Sequence, residues 1–278
     1  MKRLSRPGEP TLAWELHRPT AAPRGAVLLT HGYGEYSARY LEAIEAFSAA
    51  GLFVARYDVR GHGESEGVRG HVERFSSYLA DAHAILAELA KEEGFSDQGP
   101  PILFGHSHGG LISFHLAAGD QGSFRGLVMT SPFFGLALEV PAAKKAAGRV
   151  MSRVWPTLSL PSGLVGKDMT HDPERAARYD ADPRMNKGAT ARWFTEATKA
   201  QAEALELAPR LILPVTIFHG GDDRVASADA SRALFDRLGG TKKRYDLLPG
   251  QHHELFNELD RVRWIALVVD AIRAMLPA

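Results

Sequence analysis

The alternation of short apolar runs with amphipathic helices is the feature that most constrains how this chain can fold. Apolar runs at Ala26–Thr30, Leu52–Tyr57 and Leu127–Thr130 are typical of strands that are buried on both faces. In Phe75–Lys91, apolar residues recur every three or four positions, which predicts an amphipathic helix. This order of strands and helices predicts the α/β class, with a buried and mostly parallel sheet.

The alternation is interrupted in the middle of the chain. Residues 133–211 show no convincing strand and indicate short helices broken by Pro141, Pro156, Pro161, Pro173 and Pro183. The pattern then resumes with the predicted strands Pro214–Phe218 and Lys243–Leu248 and the predicted helices Ala228–Leu238 and Asp260–Met275. We therefore predict a core made of residues 1–132 and 212–278, with residues 133–211 inserted as a helical cap.

Composition excludes several classes of chemistry. The chain has no cysteine, so it can form no disulfide, Cys-ligated zinc site, iron–sulfur cluster or thiol nucleophile. Its 33 basic residues balance 33 acidic ones, which argues against a nucleic-acid partner bound through a basic field. The N-terminus lacks the apolar segment of a secretory signal, so we expect a cytoplasmic protein.

The segment Gly105-His106-Ser107-His108-Gly109-Gly110 joins a predicted strand to a predicted helix. In this setting the pattern G-x-S-x-G predicts a nucleophilic serine on a sharp turn, here Ser107. Glycines are needed two residues to either side because larger side chains would collide across the turn. The N-terminus of the following helix would supply backbone N–H donors to a developing oxyanion.

Two later loops offer the partners that a serine nucleophile requires. A histidine must accept the hydroxyl proton, and a carboxylate must orient that histidine. The loop His219–Val225 contains Asp222 and Asp223, and the loop Pro249–Glu254 contains His252 and His253. Both loops follow predicted strands, where ligands gather in open α/β sheets. The residues alone leave each choice open, Asp222 or Asp223 and His252 or His253.

Several segments together resemble the monoacylglycerol lipase and lysophospholipase family of α/β hydrolases, the serine aminopeptidase S33-like, hydrolase_4 type. They are HGYGEYSARY (His31–Tyr40), YDVRGHGESEG (Tyr57–Gly67), GHSHGG (Gly105–Gly110), ARYDADP (Ala177–Pro183), and the loops containing HGGDDRV and PGQHHELFNE. The resemblance covers the chain from about Leu12 to its C-terminus. It implies an α/β-hydrolase fold, with a mostly parallel central sheet flanked by helices and a helical cap.

The resemblance also selects the catalytic residues. The family's aspartate precedes one residue and then an aliphatic one, which selects Asp223, and its histidine precedes an acidic or apolar run that ends in Asn-Glu, which selects His253. The backbone N–H groups of Tyr33 and His108 are then implied as oxyanion donors. Tyr33 stands where some relatives carry a smaller residue.

Around these residues the resemblance implies a buried network. Glu35 and Arg39, four positions apart, would form it together with His106 behind the active site. No metal and no organic cofactor is implied.

The function implied by the resemblance is a serine carboxylic-ester hydrolase. It would cleave single-acyl-chain lipids, such as a monoacylglycerol or a lysophospholipid, through an acyl-enzyme on Ser107. The alternatives are another cofactor-free α/β hydrolase (a general esterase, a haloperoxidase or a carbon–carbon hydrolase), a lipid acyltransferase, or a non-catalytic lipid-binding protein of this fold. The expected partner is a small lipid ester, and the oligomeric state is left open.

The predicted cap carries an excess of positive charge. Between Leu136 and Lys199, eleven Lys and Arg residues accompany seven Asp and Glu residues, a net charge of +4. The first part of this region mixes apolar residues with the basic residues Lys144, Lys145, Arg149 and Arg153. This pattern is typical of a solvated basic helix face, and also of a lid in peripheral contact with a membrane or lipid aggregate.

Overall fold

A computed structural model describes residues 1–138 and 142–277, apart from the side chains of residues 142, 144 and 145. Ten strands lie within these residues: β1 (Lys2–Arg6), β2 (Glu9–His17), β3 (Gly25–Thr30), β4 (Leu52–Tyr57), β5 (Ile102–His106), β6 (Gly126–Thr130), β7 (Ser159–Pro161), β8 (Gly188–Thr190), β9 (Val215–Gly220) and β10 (Lys243–Leu248). The α-helices are α1 (Leu41–Ala49), α2 (Ser76–Leu89), α3 (His108–Gly119), α4 (Ala142–Val154), α5 (Gly166–Met169), α6 (Pro173–Ala181), α7 (Ala191–Leu207), α8 (Ala228–Arg237) and α9 (Arg261–Arg273).

Eight of the strands form one sheet in the order β1-β2-β4-β3-β5-β6-β9-β10. The six strands from β4 to β10 in this order pair in parallel, while β1 with β2 and β2 with β4 pair antiparallel. The prediction of a mostly parallel sheet is therefore confirmed. Because the parallel strands point the same way, the loops after β3, β5, β9 and β10 meet at one edge of the sheet.

Helices cover both faces of this sheet. In β3 the side chains alternate, with Val27 and Leu29 in one apolar layer and Ala26 and Leu28 in the other. The layer of Val27 includes the buried faces of α1 and α9, and the layer of Ala26 includes those of α2, α3 and α8. Burial on both sides explains why the sequence of these strands is continuously apolar rather than alternating.

The segment between β6 and β9, termed the cap below, contains the helices α4 to α7. The remainder, with the eight-stranded sheet, is termed the body. Helix α7 buries a face of small and aromatic residues, including Trp193, Ala197 and Ala200, in the same apolar layer as α3 of the body. None of the described helices combines the length and apolar character needed to cross a membrane.

Two features of the fold were not predicted correctly from the sequence. The expectation of no strand in residues 133–211 is wrong, because β7 pairs antiparallel with β8 inside the cap. Each of these strands has only three residues, and they contain Pro161 and Gly188, so neither shows a strand-like pattern. The edge strand β1 was also missed, since it consists mostly of charged residues, most of them exposed.

Candidate active site

Ser107 lies on the sharp turn between β5 and α3, as the sequence predicted. Its backbone adopts φ = +51°, a strained conformation for a residue with a side chain, and the residue is buried. A Cβ at position 105 would lie 2.4 Å from the carbonyl oxygen of Gly109, and one at position 109 would lie 2.2 Å from that of Thr30. These approaches are possible only for glycine, which accounts physically for the flanking residues of the motif.

The loops after β9 and β10 bring Asp223 and His253 together. Nδ1 of His253 lies 2.7 Å from Oδ2 of Asp223, and both side chains are almost fully buried. The other carboxylate oxygen of Asp223 accepts the backbone N–H groups of Val225 and Ala226, at 2.8 and 2.9 Å. Asp222 is exposed at the surface. The carboxylate is therefore held on both oxygens, and Nε2 of His253 is left available for a second partner.

Because Asp223 and His253 are buried, their charge states depend on the electrostatic attraction between the two side chains. Burial alone would raise the pKa of Asp223 and lower that of His253, because it disfavours both charged forms. The attraction between them, with their hydrogen bond, reverses both effects. The pKa of Asp223 lies well below its ordinary value, and that of His253 lies above it.

His219 is a second histidine on Asp223 that sequence reasoning did not assign. Its Nε2 lies 3.3 Å from Oδ2 of Asp223 and 3.2 Å from the carbonyl oxygen of Ala226. Both neighbours are acceptors, so Nε2 of His219 carries a proton and donates to them. Its position four residues before Asp223, at the end of β9, was the only signal in the sequence.

Tyr33 and His108 line the same cavity as Ser107. Within the described residues, neither backbone N–H group donates to a backbone carbonyl. The Tyr33 side chain is anchored at its hydroxyl, 2.8 Å from the carbonyl oxygen of Gly70 and 2.9 Å from that of Gly188. Burial lowers the pKa of His108 well below its usual value, so its ring is neutral.

Glu35 and Arg39 form part of a buried ionic network. Oε1 of Glu35 accepts the backbone N–H of Gly32 at 2.6 Å, next to the predicted oxyanion loop. Arg39 lies 3.6 Å from Glu35 and also pairs with Glu254, directly after His253. Tyr40 donates its hydroxyl to Glu35 at 2.6 Å. Sequence reasoning missed Glu254, because it lies 215 positions from Arg39 and carries no local signal.

His106 packs against the ring of His253 and, in the part of the chain that the structure describes, forms no hydrogen bond with Glu35 or Arg39. Its Nδ1 lies 3.0 Å from the hydroxyl and 3.1 Å from the carbonyl oxygen of Thr130, and its ring centroid is 4.7 Å from that of His253. Burial and the neighbouring His253 lower the pKa of His106 to about 3. A neutral ring therefore packs against the imidazole of His253.

The other histidine of the doublet, His252, belongs to a cluster that joins the cap to the loop of His253. The buried carboxylate of Glu258 accepts the backbone N–H of His252 at 2.8 Å and that of His171, in the cap, at 3.0 Å. The rings of His171 and His252 stack with centroids 3.7 Å apart. Within the described part of the chain, His171, His252 and Glu258 form the one cluster whose ligand atoms lie close enough together to bind a metal ion. Stacked rings place their nitrogen lone pairs side by side rather than toward a common point, which does not favour such a site.

An apolar cavity of about 470 Å³ opens onto Ser107 and His253. Its walls come from both regions of the molecule. Phe133, Leu164, Met169, Met185, Trp193 and Phe194 are among its apolar lining residues. Such a lining excludes water and favours an aliphatic group over a polar one.

The chain is similar to known proteins over most of its length. The model of a family described as Hydrolase_4, serine aminopeptidase S33, matches residues 21–260. The chain belongs to this family. It is a serine hydrolase of the α/β-hydrolase fold.

Among its relatives, the monoacylglycerol lipase of Mycolicibacterium smegmatis is 30% identical, over 95% of this chain and 92% of the relative. Phospholipase YtpA of Bacillus subtilis is 26% identical, over 89% of this chain and 93% of the relative. The crystal structure of Paleococcus ferrophilus monoacylglycerol lipase superposes with a TM-score of 0.86 at 29% identity, covering 95% of this chain and 99% of that one. The family's fold therefore extends over body and cap alike.

Proposed function

We propose that this protein hydrolyses carboxylic esters of lipids with a single acyl chain, such as a monoacylglycerol or a lysophospholipid. The observation that carries the proposal is the apolar cavity of about 470 Å³ that opens onto Ser107 beside the buried Asp223–His253 pair. An apolar cavity of this volume suits one acyl group. Relatives named monoacylglycerol lipase and phospholipase support both head-group classes.

In the proposed mechanism, Nε2 of His253 accepts the hydroxyl proton of Ser107 as the oxygen attacks the ester carbonyl. The backbone N–H groups of Tyr33 and His108 stabilise the resulting oxyanion. When the tetrahedral intermediate collapses, His253 donates the proton to the departing alcohol, which leaves an acyl-enzyme on Ser107. A water molecule, deprotonated by His253, attacks this acyl-enzyme, and its collapse returns the proton to Ser107 and releases the fatty acid.

The surrounding residues keep this machinery in position. Asp223 selects the Nε2-accepting tautomer of His253 and stabilises the imidazolium, since it already holds Nδ1–H. Glu35 fixes the N–H of Gly32, one residue before Tyr33, and through Arg39 and Glu254 it is connected to the loop of His253. One buried network of charged residues therefore connects the proposed oxyanion loop with the loop of His253.

We divide the roles of the chain as the sequence suggested, with residues 1–132 and 212–278 as catalytic core and residues 133–211 as cap.

The cap also offers a surface for peripheral contact with a lipid aggregate. Around the end of α4, Val154 and Trp155 are 73% and 59% exposed, beside the exposed Arg149 and Arg153. Aromatic and apolar side chains flanked by arginine suit the interface of an anionic lipid layer. The side chains of Lys144 and Lys145 and the whole of Val140 lie outside the described residues.

The proposal is tested with p-nitrophenyl esters of graded chain length, followed by a monoacylglycerol and lysophosphatidylcholine at equal acyl chain. Wild-type protein is expected to hydrolyse these esters and Ser107→Ala to lose at least about a thousandfold in kcat/KM. Equal activity of the two proteins would overturn the hydrolase assignment. Product that appears only when an acceptor alcohol is added would instead identify an acyltransferase.

A further inference from the structure

One cap residue, Trp193, contacts the side chains of both residues that we propose as oxyanion donors. Its indole ring stacks on Tyr33, with centroids 3.6 Å apart and an interplanar angle of 25°. Its Nε1–H donates to Nε2 of His108 at 3.3 Å. Trp193 lies at the start of α7 and lines the apolar cavity. It therefore connects the wall of the cavity with both sides of the oxyanion site.

Tyr33 is held by the cap at two points. The indole of Trp193 covers one face of its ring, and its hydroxyl lies between the carbonyl oxygens of Gly70 in the body and Gly188 in β8. Only two side-chain torsions separate the ring of a tyrosine from its backbone. A shift of the cap that moves this ring is therefore transmitted to the N–H group of Tyr33.

His108 is held in a similar way, through contacts of its ring with Trp193 and with aromatic residues of the body. The ring is buried and neutral, so its Nε2 is able to accept the N–H of Trp193. Tyr78 and Phe75 pack edge-on against the same ring, with centroid distances of 5.0 and 5.9 Å. Trp193 thus provides the polar contact of a ring that is otherwise enclosed by aromatic neighbours.

We propose that Trp193 is a positioning residue that couples occupation of the acyl cavity to the alignment of the oxyanion donors. This inference rests on the proposed function. An acyl chain in the cavity lies against the indole and keeps it seated on Tyr33 and His108, so both N–H groups keep the geometry that the oxyanion requires. Because the oxyanion exists only in the transition state and the tetrahedral intermediate, the benefit falls on kcat rather than on KM.

The test compares kcat and KM over p-nitrophenyl esters from acetate to decanoate for wild type, Trp193→Phe and Tyr33→Phe. Trp193→Phe keeps an aromatic ring but removes the N–H donor, while Tyr33→Phe keeps the ring and removes the hydroxyl anchor. In wild type, kcat is expected to rise with chain length. In both variants this rise is expected to flatten. On decanoate, kcat should be about tenfold lower than in wild type, while KM should stay within about threefold of the wild-type value. A tenfold decrease corresponds to a partial loss of the contribution of one oxyanion donor.

A transition-state analogue gives a second readout. Alkyl trifluoromethyl ketones add to a catalytic serine and place an oxyanion where the ester intermediate would have one. Their affinity for both variants is expected to fall by the same factor as kcat/KM on the ester of equal chain length. A purely structural effect on the cavity would weaken ester binding and ketone binding alike, and would raise KM.

Trp14→Phe is the matched control, because Trp14 is a buried tryptophan of β2 in the body. It should leave the chain-length dependence of kcat unchanged. If Trp193→Phe fails to fold, as judged by its melting temperature, Tyr33→Phe carries the test. If kcat of the variants rises with chain length as it does in wild type, and only KM changes, the inference is wrong. The hydrolase assignment would then still stand. Equal activity of wild type and Ser107→Ala would overturn both.

Discussion

Body and cap differ in how their functional residues are held in place. In the body, Ser107, Asp223 and His253 follow parallel strands of one sheet, so main-chain hydrogen bonds fix the relative positions of these strand ends. The cap is connected to these loops by individual contacts, among them Glu254 N–H to the carbonyl oxygen of Met169 at 2.8 Å, and the Tyr33 hydroxyl beside Gly188. The cavity is therefore bounded by loops that follow the sheet and by cap residues that pack against the body.

From this difference we expect bond making to depend on the body and substrate selection to depend on the cap. Substitutions at the carboxyl ends of the strands should change the rate for every ester. Substitutions in the cap should change the rate for some esters more than for others.

The histidine doublet should show the largest contrast within the body. Replacement of His253 by Ala removes the proposed base and is expected to lower kcat by roughly 10⁴-fold or more for short and long esters alike. His252→Ala, which removes the ring stacked on His171, should remain within about threefold of wild type. Steady-state kinetics of the two purified variants provide the measurement. A larger loss at His252 would mean that the wrong histidine has been assigned.

The aspartate doublet should give the next largest contrast. Asp223→Asn is expected to lower kcat by about 10²- to 10⁴-fold, because the amide cannot stabilise the imidazolium. Asp222→Asn, at an exposed position, should stay within about twofold.

The pH dependence of kcat/KM provides an internal check on Asp223. His253 acts as base only when neutral, and its pKa is raised, so kcat/KM of wild type should fall as the pH drops through a value above 6.5. Without the carboxylate, burial dominates and the fall should move to lower pH. If the Asp223→Asn profile keeps the wild-type midpoint, the carboxylate does not control the charge of His253.

Arg39 tests the junction between the two regions, since it pairs with Glu35 and Glu254 and lies over the ring of the cap residue Tyr179. Arg39→Met leaves two buried carboxylates without their cation, and should lower the free energy of unfolding by about 3–5 kcal/mol. The exposed Arg178 is the matched control, and Arg178→Met should change the free energy of unfolding by less than about 0.5 kcal/mol. Urea denaturation of the two variants and of the wild type provides the measurement. Equal stability of Arg39→Met and Arg178→Met would show that the ionic network of Arg39 does not stabilise the junction.

The exposed face of the cap should give the smallest effect on catalysis. The double variant Arg149→Gln, Arg153→Gln is expected to reduce co-sedimentation with anionic phosphatidylserine vesicles by up to about tenfold, and to leave kcat on a water-soluble ester unchanged. A charge-matched variant of the body, Arg237→Gln with Arg273→Gln, should keep wild-type vesicle binding. Equal binding by all three proteins would reduce the face of α4 to ordinary solvated surface.

The body could be predicted from the sequence further than the cap. Its strands are buried on both faces and therefore continuously apolar, and the motif around Ser107 is local, so pattern and spacing were sufficient. The two doublets could not be decided from the residues alone. The choice of Asp223 and His253 came from the family resemblance, and their 2.7 Å contact joins residues thirty positions apart.

What the sequence did not predict depends on contacts between distant positions. The pairing of Arg39 with Glu254 and the hydrogen bond of Trp193 to His108 join residues from separate elements, and neither pair has a local pattern. The strands β7 and β8 are too short for a period of two to appear. His219 was visible in the loop sequence, but its role requires the turn that brings it back onto Asp223.

Covalent trapping can decide whether Ser107 is the nucleophile. Wild-type protein is incubated with an alkyl fluorophosphonate, and the modified peptide is identified by mass spectrometry. We predict one adduct, on Ser107, that forms in proportion to the loss of esterase activity and is absent from Ser107→Ala. An adduct on another residue, or full activity after Ser107 has been completely modified, would contradict the account.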